Sequence, residues 1–319
     1  MSGYPVYLNA YKSGSLNKIT EKLFSSLESC QICPRRCKVN RISGKVGFCK
    51  TSKLPKIYSF LAHHGEEPPI SGTKGSGTIF FSHCNMGCVY CQNYEFSQLG
   101  AGREYAFEEL AEIMLKLQGL GCHNINLVTP THVLPQILKS LELAIPQGLK
   151  IPLVYNTSGY ELTEIIKLLD GIVDIYLADS RYGDNSIAKE LSQAPDYVER
   201  NQEALKEMHR QVGIPQFSDD GLIKRGLIIR HLVLPNQVSA TEKIIKFIAK
   251  DLSEDTYLSL MSQYLPYHKA REYSKINRRL KAPEYEEAKH ILEKYHLLNG
   301  WIQESCGQER FAGVNIKPS

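Results

Sequence analysis

Short apolar runs recur along the chain from residue 77 onward, and they are separated by stretches whose apolar residues have helical spacing. The predicted strands are the runs at residues 77–84, 124–130, 152–158, 172–180, 227–235 and 257–266. The predicted helices lie between them, at residues 106–121, 132–144, 161–171, 195–213 and 240–252, with a last helix at 283–296. This alternation predicts parallel strands joined by right-handed helical crossovers.

The predicted strands are mostly apolar rather than alternating, which is typical of an α/β sheet that is covered by helices. We therefore predict a partial (β/α)6 barrel of the TIM type over residues 77–319, with an open doubly wound sheet as the alternative. Residues 1–76 are polar, cysteine-bearing and rich in turn residues, and we predict a small irregular metal-binding segment there. In either sheet, ligands bind at the carboxyl ends of the strands.

Composition narrows the class of protein only moderately. Of the 319 residues, 42% are hydrophobic and 23% are charged, as in ordinary globular proteins. The formal net charge of +4 is small and does not predict binding to nucleic acid or to a membrane. The start of the chain lacks the pattern of a secretory signal, and no apolar run approaches the roughly 18 residues of a membrane span. We expect a cytoplasmic protein.

The nine cysteines are unevenly distributed, and seven of them fall into two tight groups. The cytosol keeps thiols reduced, so clustered cysteines indicate metal ligation rather than disulfides. Cys122 and Cys306 stand alone, and we expect both to be small buried hydrophobic residues.

One group, Cys84, Cys88 and Cys91, has the spacing C-x3-C-x2-C and directly follows the first predicted strand. Three thiolates on one loop can bind three irons of a cubane and leave the fourth iron open for chemistry. A zinc site or core cysteines are the alternatives. Structural zinc needs four ligands. The next cysteine along the chain, Cys122, is far from the group, and His83 directly precedes Cys84, which is an unusual spacing for two zinc ligands. An open [4Fe-4S] cluster is therefore the prediction.

The same spacing, with the aromatic Tyr90 just before the last cysteine, resembles the signature of the radical S-adenosylmethionine (SAM) superfamily. Segments such as NINLVTPTH, YNTSGYE and RGLIIRHLVLP resemble the pyruvate formate-lyase activating enzyme-like iron–sulfur proteins, a glycyl-radical activase-like group. The resemblance implies that the open iron binds SAM, and that an electron donor such as flavodoxin or ferredoxin triggers its cleavage to a 5′-deoxyadenosyl radical.

The resemblance also implies a substrate, a glycine of a partner glycyl-radical enzyme, from which this radical abstracts hydrogen. Modification of another peptide, a nucleic acid or a metabolite is the alternative among enzymes. A non-catalytic zinc-binding module is the alternative from another class of protein.

Polar residues cluster at the predicted strand ends, where ligands are expected. Candidates for cofactor binding are Tyr90, Thr129, Thr131, His132, Asn156, Ser158 and Arg230. Candidates for substrate binding are Asp179, Arg181, Gln263 and His268. Arg230 lies inside an apolar strand, and a buried guanidinium requires an anion or several acceptors. Thr131 is also a candidate helix cap.

The sequence departs from the superfamily pattern at two strand ends. The acidic residue that usually holds the SAM amino group is absent from the second strand end, where the chain has Thr129 to His132. A lysine of the resembling group is Arg181 here, and arginine cannot give up its proton.

The second cysteine group precedes the predicted barrel and consists of Cys30, Cys33, Cys37 and Cys49. Four closely spaced thiolates fit a closed site, either tetrahedral zinc or a fully ligated [4Fe-4S] cluster. Pro34 and Gly47 suit the tight turns around such a site. The neighbouring basic residues are expected to form a solvated surface: Arg35, Arg36, Lys38 and Arg41.

Overall fold

One mixed β-sheet organises the molecule. A computed structural model describes residues 4–303 of the chain. The strands in that part are β1 (Lys56–His63), β2 (Ser76–Phe81), β3 (Arg103–Glu104), β4 (Ile125–Val128), β5 (Leu153–Thr157), β6 (Ile175–Asp179), β7 (Gln216–Phe217), β8 (Ile223–Leu232), β9 (Tyr257–Met261) and β10 (Gly300–Gln303). Their order is β10-β9-β8-β6-β5-β4-β2-β1-β3, and β7 pairs with β8 outside this path.

The helices alternate with the strands along the chain. They are α1 (Tyr7–Lys12), α2 (Ser15–Ser25), α3 (Pro68–Ser71), α4 (Tyr94–Ser97), α5 (Phe107–Gly119), α6 (Leu134–Ala144), α7 (Thr163–Ile166), α8 (Asn185–Ser192), α9 (Tyr197–Val212), α10 (Thr241–Phe247) and α11 (Ala282–Lys294). Short 3-10 helices cover Ser26–Ser29, Thr131–Val133, Ile145–Gln147, Lys167–Leu169, Pro235–Gln237 and Ala270–Glu272, and a π-helical turn covers Ile248–Leu252.

The predicted α/β fold, a partial barrel of the TIM type, is confirmed. The six predicted strands correspond to β2, β4, β5, β6, β8 and β9, which are neighbours in this order and pair in parallel. A doubly wound sheet reverses its strand order at a switch point. These six strands follow the chain order without a reversal, so the alternative fold is excluded.

Burial on both faces explains the continuous apolar runs. The strands β2, β5 and β6 are buried along their whole length. Ile79, Leu127 and Tyr155 on the strands belong to the same core cluster as Leu110 and Met114 of α5. The helix α5 packs against α6 and β2 and covers the sheet there. Because the six strands are parallel, their carboxyl ends meet at one end of the sheet, where the cysteine loop begins.

The N-terminal segment is more regular than its sequence predicts. The strand β1 pairs antiparallel with β2 and so extends the main sheet. The helix α2 packs against α6 through a face that buries Leu16, Thr20 and Leu23. This spacing of three and four residues is helical, but the surrounding polar and turn-forming residues obscure it. The division of the chain into two domains at residue 76 stays a prediction.

Two further elements were not predicted. The helix α8 starts where the Asp184 side chain accepts hydrogen bonds from the backbone N–H groups of Ser186 and Ile187, which is a typical N-cap. The strand β10 pairs in parallel with β9 at the edge of the sheet. Cys122 is buried as expected, whereas Cys306 lies outside the described residues. Among residues 4–303, no helix has the length and apolar character needed to cross a membrane.

Candidate active site

The loop after β2 carries the three cysteines of the C-x3-C-x2-C motif. Its backbone is attached to the C-terminal end of α8, where Gly87 N–H donates to the Ser192 carbonyl at 3.2 Å and Val89 N–H donates to the Leu191 carbonyl at 2.8 Å. A Cβ atom at Gly87 would lie 2.8 Å from Nε2 of Gln193. A side chain at this position would therefore require the end of the Gln193 side chain to move.

Hydrogen-bond donors surround the sulfur atoms of this loop. The Cys88 sulfur accepts from Arg181 Nη1 at 3.1 Å and from the Ser192 hydroxyl at 2.9 Å. The Cys84 sulfur accepts from the backbone N–H of Met86 at 3.3 Å. Donors and a guanidinium charge favour the thiolate, which is the form of cysteine that binds metal.

The chemistry of this donor set fits an iron–sulfur cluster. The Ser97 hydroxyl lies 3.2 Å from the Cys91 sulfur, so each of the three sulfurs has a polar neighbour. Burial, together with the nearby Cys88, raises the pKa of the Cys84 thiol to about 12. The Cys84 thiol therefore needs positive charge beside it to become a thiolate at neutral pH, and bound iron would supply that charge.

A cavity of about 200 Å³ opens beside the loop. It extends from the loop to strand residues inside the barrel and to the segment between β1 and β2. Its polar and charged lining includes Glu66, Glu67, Gln92, Asn93, Asp179, Arg181, Arg230, Gln263 and Gln303, and its remaining lining includes Tyr90, Cys91, Leu232 and Met261. The site is thus a polar chamber next to the candidate cluster ligands.

Arg230 lies at the centre of the charged lining. Its guanidinium donates to Asp179 Oδ1 at 2.9 Å, to Asn156 Oδ1 at 2.6 Å and to Glu66 Oε2 at 3.4 Å. Arg181 donates to the other oxygen of Asp179 at 2.6 Å. Burial alone would raise the pKa of Asp179, but the two guanidinium groups lower it below its ordinary value. The acceptors that a buried Arg230 requires are thus supplied by the protein.

Glu66 and Glu67 are buried cavity residues that the sequence analysis missed. The Glu66 carboxylate accepts from Asn126 Nδ2 at 3.0 Å. Glu67 is 3% exposed, and its Oε2 atom has no hydrogen-bond partner. Burial raises the pKa of both carboxyls, and Arg230 opposes this shift. Two acids before Pro68 in a turn-rich segment look like solvated loop residues, so the sequence contains no sign of their burial.

Two other predicted residues line the cavity. The Tyr90 hydroxyl lies 2.6 Å from the Tyr182 hydroxyl, and its ring packs edge-on against Tyr264. Gln263 is hydrogen-bonded through Nε2 to Gln303. The structure thus brings Tyr90, Asp179, Arg181, Arg230 and Gln263 to one chamber, with Asn156 behind Arg230.

Four other candidates are absent from this lining. The Thr131 hydroxyl donates to buried Glu161 at 2.5 Å. The Thr129 backbone N–H donates to the Asn156 carbonyl at 2.8 Å, and Tyr197 donates to the Ser158 carbonyl at 2.8 Å. His268 stacks on Tyr94 with ring centroids 4.8 Å apart. The cavity lining described above thus lacks these four predicted residues, and it also lacks Asn156 and His132.

His132 is also absent from the lining of the chamber, and its predicted contact with SAM stays a prediction. It lines a second, small cavity together with Cys30, Cys33, Cys37 and Cys49. Its Nε2 atom lies 2.8 Å from the Ser82 carbonyl, two residues before Cys84. Burial lowers the pKa of His132 to about 3, so the imidazole is neutral. This side chain connects the second cysteine group to the loop of the first.

Two arginines of the second group are not the solvated surface that the sequence predicts. Arg41 is 1% exposed, and its guanidinium donates to the Ser52 carbonyl at 3.1 Å and approaches the Cys30 sulfur at 3.6 Å. Arg35 donates from Nε to the Asn85 carbonyl at 2.9 Å and stacks on the Phe48 ring at 3.8 Å. Positive charge thus lies beside the four sulfurs, and Arg35 holds them against the first loop.

The backbone around the second cysteine group leaves space for the Cys37 sulfur and donates a hydrogen bond to it. A Cβ atom at Gly47 would lie 2.7 Å from the Cys37 sulfur, and the Phe48 N–H donates to that sulfur at 3.4 Å. Within residues 4–303, no group of three or more His, Cys, Asp or Glu side chains is arranged to hold a metal ion.

Comparison with known families decides the class of this site. A family model described as the radical SAM superfamily matches residues 78–248, more than half of the chain. The chain belongs to the radical SAM superfamily. It is therefore an enzyme, and the superfamily implies a [4Fe-4S] cluster and SAM as its cofactors.

The similar proteins are diverse. This radical SAM chain is 36% identical over 283 residues to "Uncharacterized protein MJ0674" of Methanocaldococcus jannaschii, covering 85% of this chain and 76% of that protein. Methylornithine synthase (PylB) has 15% identity and a TM-score of 0.47, with 70% of this chain and 63% of that chain covered. The hydrogenase maturase HydG of Carboxydothermus hydrogenoformans has 16% identity and a TM-score of 0.45, with 69% and 50% covered. The chain thus spans less than two thirds of these two structures.

Proposed function

We propose that this radical SAM enzyme holds its [4Fe-4S] cluster through Cys84, Cys88 and Cys91 and cleaves SAM reductively. The observation that carries the proposal is the C-x3-C-x2-C loop at the carboxyl end of β2, which opens into the charged chamber through Cys91. When bound, the cluster and SAM supply a 5′-deoxyadenosyl radical that abstracts hydrogen from the substrate.

The side chains of the chamber prepare the site for this chemistry. Arg181 bridges the Cys88 sulfur and the Asp179 carboxylate, so one guanidinium fixes the loop relative to β6. Tyr90 forms part of the chamber wall and is supported from behind by its ring contacts with Tyr182 and Tyr264.

SAM binding by individual residues remains a proposal. Tyr90 and Arg230 line the chamber and Asn156 touches Arg230, so these three are the strongest candidates for contact with SAM. The hydroxyl of Thr131 is engaged by Glu161, which weakens its candidacy. Thr129 and Ser158 could contribute through their backbone, whereas His132 belongs with the second cysteine group.

Two substrate classes are supported by different observations. The resemblance of several sequence segments to glycyl-radical activases supports a glycine of a partner glycyl-radical enzyme. The buried acidic side chains inside the barrel support a small molecule instead. In both cases we propose flavodoxin or ferredoxin as the electron donor and the cytoplasm as the location, since a labile cluster and free thiols require reducing conditions.

We also propose that residues 1–76 form a metal-binding segment in which Cys30, Cys33, Cys37 and Cys49 hold a second, closed metal centre. Buried Arg41 supports this, because its described partners are a carbonyl and a cysteine sulfur, and a buried guanidinium favours anionic thiolates nearby. Gly47 supports it too, since any larger residue would collide with the Cys37 sulfur.

Anaerobic incubation with SAM and a strong one-electron reductant tests the main proposal. The enzyme with a full complement of cluster should form 5′-deoxyadenosine and methionine. Adding cell extract then separates the substrate classes: a persistent glycyl radical on a large polypeptide, seen by electron paramagnetic resonance, identifies a partner enzyme, whereas loss of a metabolite identifies a small molecule. Failure of the cluster-loaded enzyme to cleave SAM would disprove the proposed function.

A further inference from the structure

Two hydrogen-bond acceptors of the chamber have no hydrogen-bond donor. Oε2 of Glu67 and Oε1 of Gln263 are buried without a hydrogen-bond partner, and both residues line the chamber. A carboxylate oxygen and an amide oxygen can only accept hydrogen bonds. Buried polar atoms in folded proteins are almost always paired, so this pair of acceptors indicates a ligand that donates.

The charged residues of the chamber indicate whether the ligand is positively or negatively charged. Its described lining contains three acids, Glu66, Glu67 and Asp179, and two cations, Arg181 and Arg230. Both cations are hydrogen-bonded to Asp179, and Arg230 also contacts Glu66. Arg230 also acts electrostatically on Glu67, but its ion pairs are with Asp179 and Glu66, so three acids share two cations. A buried carboxylate without its own cation is costly, and a positively charged ligand would offset that cost.

The position of Glu67 separates it from the cluster. A line of hydrogen bonds runs from the Cys88 sulfur through Arg181, Asp179 and Arg230 to Glu66, the neighbour of Glu67. Glu66 is thus joined to the cysteine loop through three intervening side chains. The SAM amino group, which the resemblance places on the open iron, belongs beside the loop, and we assign the two glutamates to the substrate.

The segment that carries Glu67 is built to stay in place. Pro68 and Pro69 directly follow it, and both have a fixed φ angle that stiffens the start of α3. The backbone N–H groups of Ile70 and Ser71 donate to the Glu67 carbonyl at 2.8 and 3.1 Å. A carboxylate held this firmly is preorganised for one ligand group.

From these features we infer that Glu67, assisted by Gln263, binds an alkylammonium group of a small-molecule substrate inside the barrel. The inference rests on the proposed function, because it assigns the class of molecule that reaches the substrate end of the same chamber. A small amine satisfies both unpaired acceptors and balances the excess negative charge. A glycine within a partner's polypeptide has a backbone N–H to donate but no positive charge to balance the chamber.

The test uses the cluster-loaded full-length enzyme with SAM bound, and two probes of nearly equal shape. These are n-butylammonium and its neutral counterpart n-butanol, titrated calorimetrically under anaerobic conditions. We expect the wild type to bind the cation at least about tenfold more tightly than the alcohol, and Glu67→Gln to lose this preference. The matched control is Glu108→Gln, the same chemical change at an exposed position of α5, which should keep the preference.

The wild-type preference is informative even if Glu67→Gln fails to fold. Equal binding of both probes by the wild type would overturn the inference, as would an undiminished preference in a folded Glu67→Gln variant. A tenfold or larger loss of SAM affinity in Glu67→Gln would also overturn it, by assigning the carboxylate to SAM. Formation of 5′-deoxyadenosine by the wild type is measured separately, so the substrate class can fail while the proposed function stands.

Discussion

At the scale of single residues, the charged network around Arg230 combines structural and functional demands. The guanidinium pairs with Asp179, Asn156 and Glu66, which come from β6, β5 and the segment before β2. Its position in an apolar strand led to the prediction that it would need acceptors. The sequence could not identify them all, because Glu66 lies 164 positions away in a turn-rich segment.

Replacing Arg230 by methionine keeps the bulk of the side chain and removes the charge. Glu66 then loses its described ion-pair partner and Asp179 loses one of its two, so we expect the free energy of unfolding to fall by about 3 kcal/mol. If Arg230 also contacts SAM, affinity should fall about tenfold, or ~1.4 kcal/mol, with iron content unchanged. Denaturant titration and equilibrium binding measure the two effects. Lower stability with unchanged SAM affinity would remove Arg230 from the cofactor site.

Glu161 predicts a specific dependence of stability on pH. Its carboxylate accepts from Thr131 and Thr157 in a fully buried site, and burial raises its pKa from 4.5 to about 7. A carboxyl with a higher pKa in the folded than in the unfolded chain stabilises the fold at low pH. That contribution is lost as the pH rises through about 7.

The substitution Glu161→Gln removes this titration and leaves the other groups in place. Between pH 6 and pH 8, the wild type should lose about 1 kcal/mol of unfolding free energy relative to the variant. Chemical denaturation of both proteins at the two pH values measures the difference. A difference that stays constant, or that changes in the opposite direction, would show that Glu161 is already ionised at pH 6.

At the scale of secondary-structure elements, the regular part of the chain was predictable and the N-terminal part was not. The six parallel strands were predicted because continuous apolar runs are required when both faces of a strand are buried. In contrast, β1 and α2 lie in polar sequence, and their burial depends on β2 and α6, which are distant in the chain. The same tertiary dependence explains why the sequence did not reveal the burial of Glu66 and Glu67 or the position of His132 beside the second cysteine group.

The segment with the second cysteine group gives a prediction about metal content. If its four cysteines form their own centre, removing the first group should leave that centre intact. We expect a triple variant with Cys84, Cys88 and Cys91 all changed to alanine to retain iron or zinc. Elemental analysis and visible absorption of the anaerobically purified protein measure this and distinguish the two metals.

The control for this experiment is a further variant that also changes Cys30 and Cys49, and it should contain neither metal. If the triple variant itself contained neither iron nor zinc, the four N-terminal cysteines would bind no metal. Arg41 would then be a buried cation beside neutral thiols, and its burial would need another explanation.

At the scale of the whole molecule, the sheet brings the two cysteine groups together. Arg35 of the N-terminal segment donates to the Asn85 carbonyl next to Cys84, and His132 at the end of β4 contacts the Ser82 carbonyl. The first cysteine loop therefore lies between the N-terminal segment and the charged chamber. A structural change at the second cysteine group would therefore reach this loop first.

The central claim is that the three loop cysteines hold the cluster that cleaves SAM. The most direct measurement is 5′-deoxyadenosine formation by Cys84→Ala, Cys88→Ala and Cys91→Ala, with buried Cys122→Ala as the control. We predict that each loop variant stays folded and forms no 5′-deoxyadenosine, because the barrel core does not depend on the loop, whereas Cys122→Ala remains active. Continued SAM cleavage by any one of the three folded loop variants would contradict the account.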